Sequence, residues 1–440
     1  MVELWLAPRL EDGPVLHRRT GYRSSAERRD EIVPMFGPYP FDDYTTACEW
    51  YERQGWRRVP FVYDEPIEPG LEEALRGDGG PDAALVYADW LEERGHPRGR
   101  LIAVQHARRA RPDDPALIVE EARLFEEHAD ALLGPLGAHL REVQLDEGLE
   151  LGWEDGFIAR ARIGRDGIGD AEPVLELLLA HPSARFLREL VIGCHRSGDQ
   201  DNRRMAEILL YSSPVPPLRT LYLADFDDSQ IDNIDISRAP IGDLSELGAI
   251  YPLLEDVILK GRGDVALGAL SLPRARRFAL RTSTLTRRTL AAILAAPWPE
   301  LVELELWFGD PQRGYGAECV LDDVRPLLGD AGFPKLRTLR LMNAAFTDEL
   351  CPLLVESPRV RGLEVLDLSM GTLGDAGARV LVEARDALAH LRALKITESC
   401  IGRPARARLE ASGLPIDESP VSPANTPPRQ KAYRYTSVNE

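Results

Sequence analysis

The sequence predicts an α/β fold assembled from repeats, and three observations carry that expectation. Residues 362–397 read as one strand, one turn and one amphipathic helix: Leu363-x-x-Leu366-x-Leu368, then Gly374-Asp375, then a helical stretch ending before Leu391-x-x-Leu394-x-Ile396. The strand signature thus returns after a single strand–helix unit, and it has already occurred several times upstream. A lone strand and a lone helix leave apolar flanks open on both sides, so such a unit needs copies of itself stacked against it.

The upstream copies begin at Leu187, Leu218, Leu254, Ala275, Leu301 and Leu336, the one at Ala275 being degenerate (Ala275-x-x-Phe278-x-Leu280). The steps from Leu336 to Leu363 and from Leu363 to Leu391 are 27 and 28 residues, inside the range of about 20–29 residues of one repeat class. Earlier steps are uneven, with 31, 36 and 21 residues separating Leu187, Leu218, Leu254 and Ala275; these read as loop insertions and deletions. On these residues the stretch from Leu187 to Leu409 resembles the leucine-rich repeat family. Leu366-Asp367-Leu368-Ser369 followed by Leu373-Gly374-Asp375-x-Gly377-Ala378 is similar to its ribonuclease-inhibitor-like subtype. The resemblance implies a horseshoe solenoid over residues 140–414, with a parallel sheet inside and helices outside.

Composition narrows the function classes. With 440 residues the chain exceeds one domain on the usual scale of about 100–200 residues per domain. Seventy-two acidic against 53 basic residues give a net charge of −19, which opposes sequence-independent binding to nucleic acid or anionic membrane. No basic segment followed by an apolar core opens the chain, and no apolar run reaches about 18 residues. The cysteines, Cys48, Cys194, Cys319, Cys351 and Cys400, are odd in number, scattered and without a CxxC pair. That pattern predicts buried free thiols in a reducing, cytoplasmic compartment.

Residues 1–66 form an N-terminal aromatic-rich α+β unit, with a helix expected from Phe41 to Gly55. Arginines interleave with its aromatics, Arg57 and Arg58 among them, which suits stacking on nucleic acid. Glu27, Asp30, Glu31, Asp42 and Asp43 dilute that positive field, and aromatics at this density more often form a core.

Residues 67–139 are predicted to be helical. Pro81 is placed to open a helix and Gly95 to close it, with Leu85, Ala88, Trp90 and Leu91 turned inward. Further helices run through Leu101, Ile102 and Gln105, and through Leu117, Leu124, Phe125, Ala129 and Leu132. The segment Tyr87-Ala-Asp-Trp-Leu-Glu-Glu-Arg-Gly95, extended by Pro97-Arg98-Gly99, Ile102 and Gln105, resembles a small bacterial domain that accompanies repeat arrays. That resemblance implies association with repeats and no established activity; Ala84 stands where the family often has arginine. Asp89 and Trp90 offer a candidate site, but the preferred reading is structural, with Asp89 accepting from a neighbouring backbone and Trp90 packing.

Asp155-Gly156 between alternating segments signals a hairpin over about 149–163, expected to cap the repeats after an irregular strand Leu140–Leu145. Packing of the helices on this hairpin near Trp153 and Phe157 is expected. Residues 415–440 are rich in proline and poor in aliphatics, which predicts a solvated tail.

No metal, phosphate-loop, dinucleotide or hydrolase motif is present, and the eight histidines never pair at ligand spacing. The reading is therefore non-catalytic: a monomeric scaffold without cofactor, binding a protein or peptide partner on the concave face. In each signature the residue between the second and third aliphatics, and the one after the third, lines that face. Arg281, Glu305, Trp307, Arg340, Met342 and Asp367 then form one patch, with Trp307 and Met342 as an exposed anchor. The charges of Glu305, Arg340, Asp367 and Lys395 are expected to neutralise one another across adjacent strands. Two other readings stay open: nucleic-acid binding through Arg57 and Arg58, and an uncharted enzyme in the N-terminal unit.

Overall fold

The structure is a computed structural model. It describes the backbone of three strands within residues 1–33, and then residues 65–76, 82–134, 136, 149–164, 171–193, 201–212, 215–225, 236–329 and 332–419. The chain divides into two compact units, the first comprising residues 1–190 and 212–217, the second 191–211 and 218–440.

The first unit opens with an antiparallel sheet of β1 (Val2–Ala7), β2 (Val15–Thr20) and β3 (Arg29–Val33). The helix expected from Phe41 to Gly55 and both Arg57 and Arg58 lie outside the described residues. Helices α1 (Pro69–Arg76), α2 (Ala83–Glu92), α3 (Pro97–Ala110), α4 (Pro115–Glu127) and α5 (Ala129–Leu132) follow.

Helix α2 starts at Ala83, and Pro81 lies outside the described residues. Its inward stripe is Ala84, Tyr87, Ala88 and Leu91, one face at 3.6 residues per turn. Tyr87 takes the core position expected of Leu85, which is only half-buried. The helix stops at Gly95, whose φ of 70° is left-handed. The Gly95 N–H donates to Glu92 O (2.8 Å) and the His96 N–H to Leu91 O (3.0 Å), a Schellman closure. Prolines Pro97 and Pro115 stand in the first turns of α3 and α4, where a missing N–H costs nothing. The Asp114 carboxylate caps α4 by accepting from the Ala116 N–H at 3.0 Å.

The hairpin is present as β4 (Leu149–Glu154) and β5 (Phe157–Ile163), joined by Asp155 and Gly156 with φ of 49° and 76°. Two left-handed residues in a two-residue loop match the twist of the flanking strands. The hairpin belongs to the same compact unit as the helices, and they pack as expected. Phe125 meets Trp153 edge-on at 4.8 Å, and Phe157 lies in one buried cluster with Tyr87, Leu91 and Ile102. The unit continues through α6 (Ala171–Ala180) and a 3-10 turn at Pro182–Phe186. Residues 140–145 lie outside the described part.

Strand β6 (Glu189–Ile192) runs across the division between the units, and α7 (Arg203–Tyr211) follows it. The second unit is mixed α/β and is built on a large parallel sheet that does not close. Its strands, in spatial as in chain order, are β7 (Thr220–Leu223), β8 (Asp256–Lys260), β9 (Arg277–Arg281), β10 (Glu303–Gly309), β11 (Thr338–Ala344), β12 (Val365–Asp367), β13 (Ala393–Lys395) and β14 (Ile416–Asp417). The second aliphatic of each signature stays in register throughout: Leu221, Val257, Phe278, Leu304, Leu339, Leu366 and Leu394 sit side by side, all fully buried. The expected parallel pairing of Leu339 with Leu366 is thus observed.

Among the described residues of this unit, helices α8 (Leu247–Ile250), α9 (Arg287–Ala295), α10 (Leu321–Val324), α11 (Thr347–Glu356), α12 (Asp375–Glu383), α13 (Arg385–Leu388) and α14 (Arg403–Glu410) accompany the strands. No helix intervenes between β8 and β9, where the signature step is shortest. Strand β14 extends the array one step past the last recognisable signature and corrects the expectation of a solvated tail from residue 415, since Ile416 and Asp417 pair with β13. With only two residues it offers no periodicity to read.

Candidate binding face

Strands β9 to β12 carry the six residues singled out above, and the pairing sets them together. Glu305 stands beside Arg340, Trp307 beside Met342, and Arg340 beside Asp367. Side chains two residues apart on a strand share a face, so Arg277 and Glu303 join them, as the same alternation in the sequence would have indicated.

The arginines are the organising groups. Arg281 Nε donates to Glu305 Oε1 at 2.7 Å, its Nη2 to Oε2 at 3.3 Å and its Nη1 to the Tyr222 hydroxyl at 3.2 Å. Arg340 Nε donates to Glu303 at 2.9 Å and its Nη1 to Asp367 Oδ2 at 2.8 Å. Arg277 lies 3.4 Å from Glu303 and 3.5 Å from Glu305. Burial alone would raise the Glu305 carboxyl, but Arg281, Arg277 and Arg340 outweigh it and hold the group below its ordinary range. At Asp367 burial prevails, and its carboxyl lies above the ordinary range despite Arg340 and the donors of Ser369. Lys395 sits beside Asp367 in register but pairs instead with Asp417 on β14, at 3.1 Å. The expected four-charge series therefore ends at Asp367.

The expectation of an exposed anchor is corrected. Trp307 is 5 % exposed and Met342 1 %, and with Met370 they form a closed apolar cluster. The Trp307 indole N–H donates to Glu305 Oε1 at 2.9 Å. Met370, two positions past Leu368, is itself left-handed at φ 66° and completes this cluster. Local spacing does not encode that arrival. Glu305 and Asp367 are buried as well, so of the six only Arg281 and Arg340 reach solvent, with Tyr222, Arg277, Glu303 and Lys395 around them.

At the helical motif of the first unit, the packing reading of Trp90 holds. Asp89 is exposed, while Trp90 packs under the Arg94 guanidinium, 3.9 Å from its ring centre. The buried charges are elsewhere. Arg98, fully buried, holds Glu65 at 2.7 Å, and Arg185 holds both Glu65 and Glu72 at 2.7 Å. The Tyr87 hydroxyl donates to Glu72 at 3.0 Å. Burial raises the Glu65 carboxyl, yet Arg98 and Arg185 together bring it below its ordinary range. The two arginine partners of Glu65, 33 and 120 positions away, leave no local signal for this cluster.

His181 lies close by, buried, its Nδ1 accepting from the Ser183 N–H and its Nε2 3.0 Å from Leu132 O. Those partners fix a neutral ring with the proton on Nε2. Burial, aided by Arg98, pushes its pKa from 6.5 down to about 3. Unfolded His181 therefore takes up a proton that the folded ring refuses. The resulting stability is fully present above pH 6.5 and is lost progressively as pH falls toward about 3, at up to ~1.4 kcal/mol per pH unit. The first-unit transition in urea titrations is expected to lose about 2 kcal/mol from this group between pH 6.5 and about 5. His181→Asn removes that loss.

Among the described residues no group of His, Cys, Asp and Glu is arranged to hold a metal ion, and no helix is long and apolar enough to cross a membrane. Cys319 and Cys351 are free and buried, and burial pushes both thiols up to about 12.

No family model matches the chain and no curated protein matches it. Among solved structures, a structural-genomics target from Bacteroides fragilis is similar over 60% of this chain and 73% of its own, at 24% identity and a TM-score of 0.53. The likeness is one of fold.

Proposed function

We propose that the chain is a leucine-rich repeat scaffold of the cytoplasm, non-catalytic, that binds a polypeptide partner on the concave face of its parallel sheet. The observation that carries this reading is the row of half-exposed arginines, Arg277, Arg281 and Arg340, each held from beneath by carboxylates. Arginines already fixed by buried partners lose little freedom when a ligand engages their remaining edges. Tyr222, its hydroxyl held by Arg281, supplies the aromatic group at one end of the row. The flanking acids Asp256, Glu303 and Asp417 give the face mixed sign, which suits a polypeptide better than a phosphate backbone. The buried thiols of Cys319 and Cys351 support a reducing compartment.

The test uses positions that leave the buried ion pairs intact. A photo-crosslinking residue at position 222 or 395 of the full chain is expected to trap a protein partner in lysate. Tyr222→Ala with Lys395→Ser is expected to weaken capture of that partner by about tenfold while the melting temperature holds. Undiminished capture, with loss instead on replacing Arg57 and Arg58, would make the N-terminal unit the reader.

A further inference from the structure

We propose that the helical motif of the first unit is a reader of β-hairpin turns, specific for glycine at the second turn position, and that the chain's own hairpin is its bound ligand. Four consecutive hairpin residues are each recognised. Both backbone polar groups of Gly156 are taken by motif side chains: its N–H donates to Gln105 Oε1 at 2.7 Å, and its carbonyl accepts from Arg98 Nη1. Asp155 pairs with Arg109 at 2.6 Å, and Glu154 lies 3.5 Å from the same guanidinium. Phe157 stacks on Tyr87 at 5.9 Å and on Phe186 at 4.0 Å, with the Arg98 guanidinium 4.7 Å from its ring centre.

The glycine requirement has two independent causes. At φ 76° a side chain is disfavoured. A Cβ at position 156 would also lie 2.5 Å from Ile102 Cγ1 and 3.1 Å from Arg98 Cγ. A turn whose strands pair only with each other would need its glycine for the backbone alone; here the helix surface excludes a side chain as well.

The pattern of motif residues now has a chemical account. Tyr87 forms the floor under Phe157, Arg98 and Gln105 take the turn's two backbone groups, and Ile102 closes the space above Gly156. Gln105 is oriented for its part by its amide N–H₂ donating to Glu121 at 2.7 Å. The class of partner is a β-hairpin with an acidic-Asp-Gly-aromatic turn.

Hydrogen–deuterium exchange on the full chain tests the assignment. Gly156→Ala and Gln105→Leu are each expected to speed exchange across residues 149–163 by about tenfold or more, with β10 and β11 unchanged. Ile102→Ala alone is expected to loosen the hairpin modestly. Added to Gly156→Ala it is expected to restore part of the lost protection, because it removes the atom that Cβ would strike. Backbone strain by itself predicts no such recovery. Hairpin protection that survives all three single changes, or a double variant no better than Gly156→Ala, overturns the proposal.

Discussion

Trp307→Ala is expected to lower the stability of the parallel-sheet unit by about 3–5 kcal/mol, the usual cost of deleting a large aromatic from a closed site. The indole is 5 % exposed between Met342 and Met370, and its N–H is one of the donors that hold Glu305. Truncation therefore opens a cavity next to a buried carboxylate and removes one of its hydrogen bonds. Urea titration of the full chain, with the second-unit transition followed separately, is the measurement. Trp307→Phe should recover much of the packing but not the hydrogen bond, leaving a deficit of about 1.5–3 kcal/mol for a bond to a charged group. A stability unchanged by Trp307→Ala would mean that the indole is a surface group after all. The same reasoning disqualifies Trp307→Ala as a binding probe, since any loss of capture would be confounded with unfolding.

Arg98→Met should cost the first unit about 3–5 kcal/mol, as expected when one partner of a buried ion pair is removed. Methionine fills similar space, so the loss reports charge and hydrogen bonding more than volume. Among the described residues, the carboxylate of Glu65, 4 % exposed, would keep only Arg185, and the Gly156 carbonyl would lose the Arg98 donor. Glu65→Gln in the same background is expected to recover part of the loss by removing the stranded charge. A double-mutant cycle in urea gives the coupling directly, and strict additivity would show that the pair does not interact. The pH dependence expected from Glu65 follows its lowered pKa. Its stabilisation is present above the ordinary carboxylate range and is lost as pH falls through that range, adding to the loss at His181.

Much of the candidate face is legible in the sequence. Period-two alternation within Leu-x-x-Leu-x-Leu assigns each intervening residue to one side of a strand, and equal signature positions in successive repeats fall side by side. The neighbours Glu305–Arg340, Trp307–Met342 and Arg340–Asp367 follow from those two rules alone. Residues Arg277 and Glu303 were legible by the same rule, two positions earlier on their strands. Exposure was not legible. A strand position names a face, whereas burial on that face depends on what arrives from elsewhere, here Met370, which packs on Trp307 and is itself left-handed.

The same division holds across the whole chain. Local chemistry specified the elements: a Gly95 stop, a Pro97 start, an Asp155-Gly156 hairpin, and aliphatics at a spacing that can pack only in a stacked parallel array. Each depends on residues a few positions apart, whose interactions are set by the geometry of a strand, a turn or a helix. Partner choice among the charges was decided in three dimensions. Arg98 reaches Glu65 and Gly156, Arg185 reaches Glu65 and Glu72, and Lys395 takes Asp417 over its register neighbour Asp367. An arginine side chain is long enough to serve several carboxylates. Which one it serves depends on distance and burial, and those exist only once remote segments have been brought together.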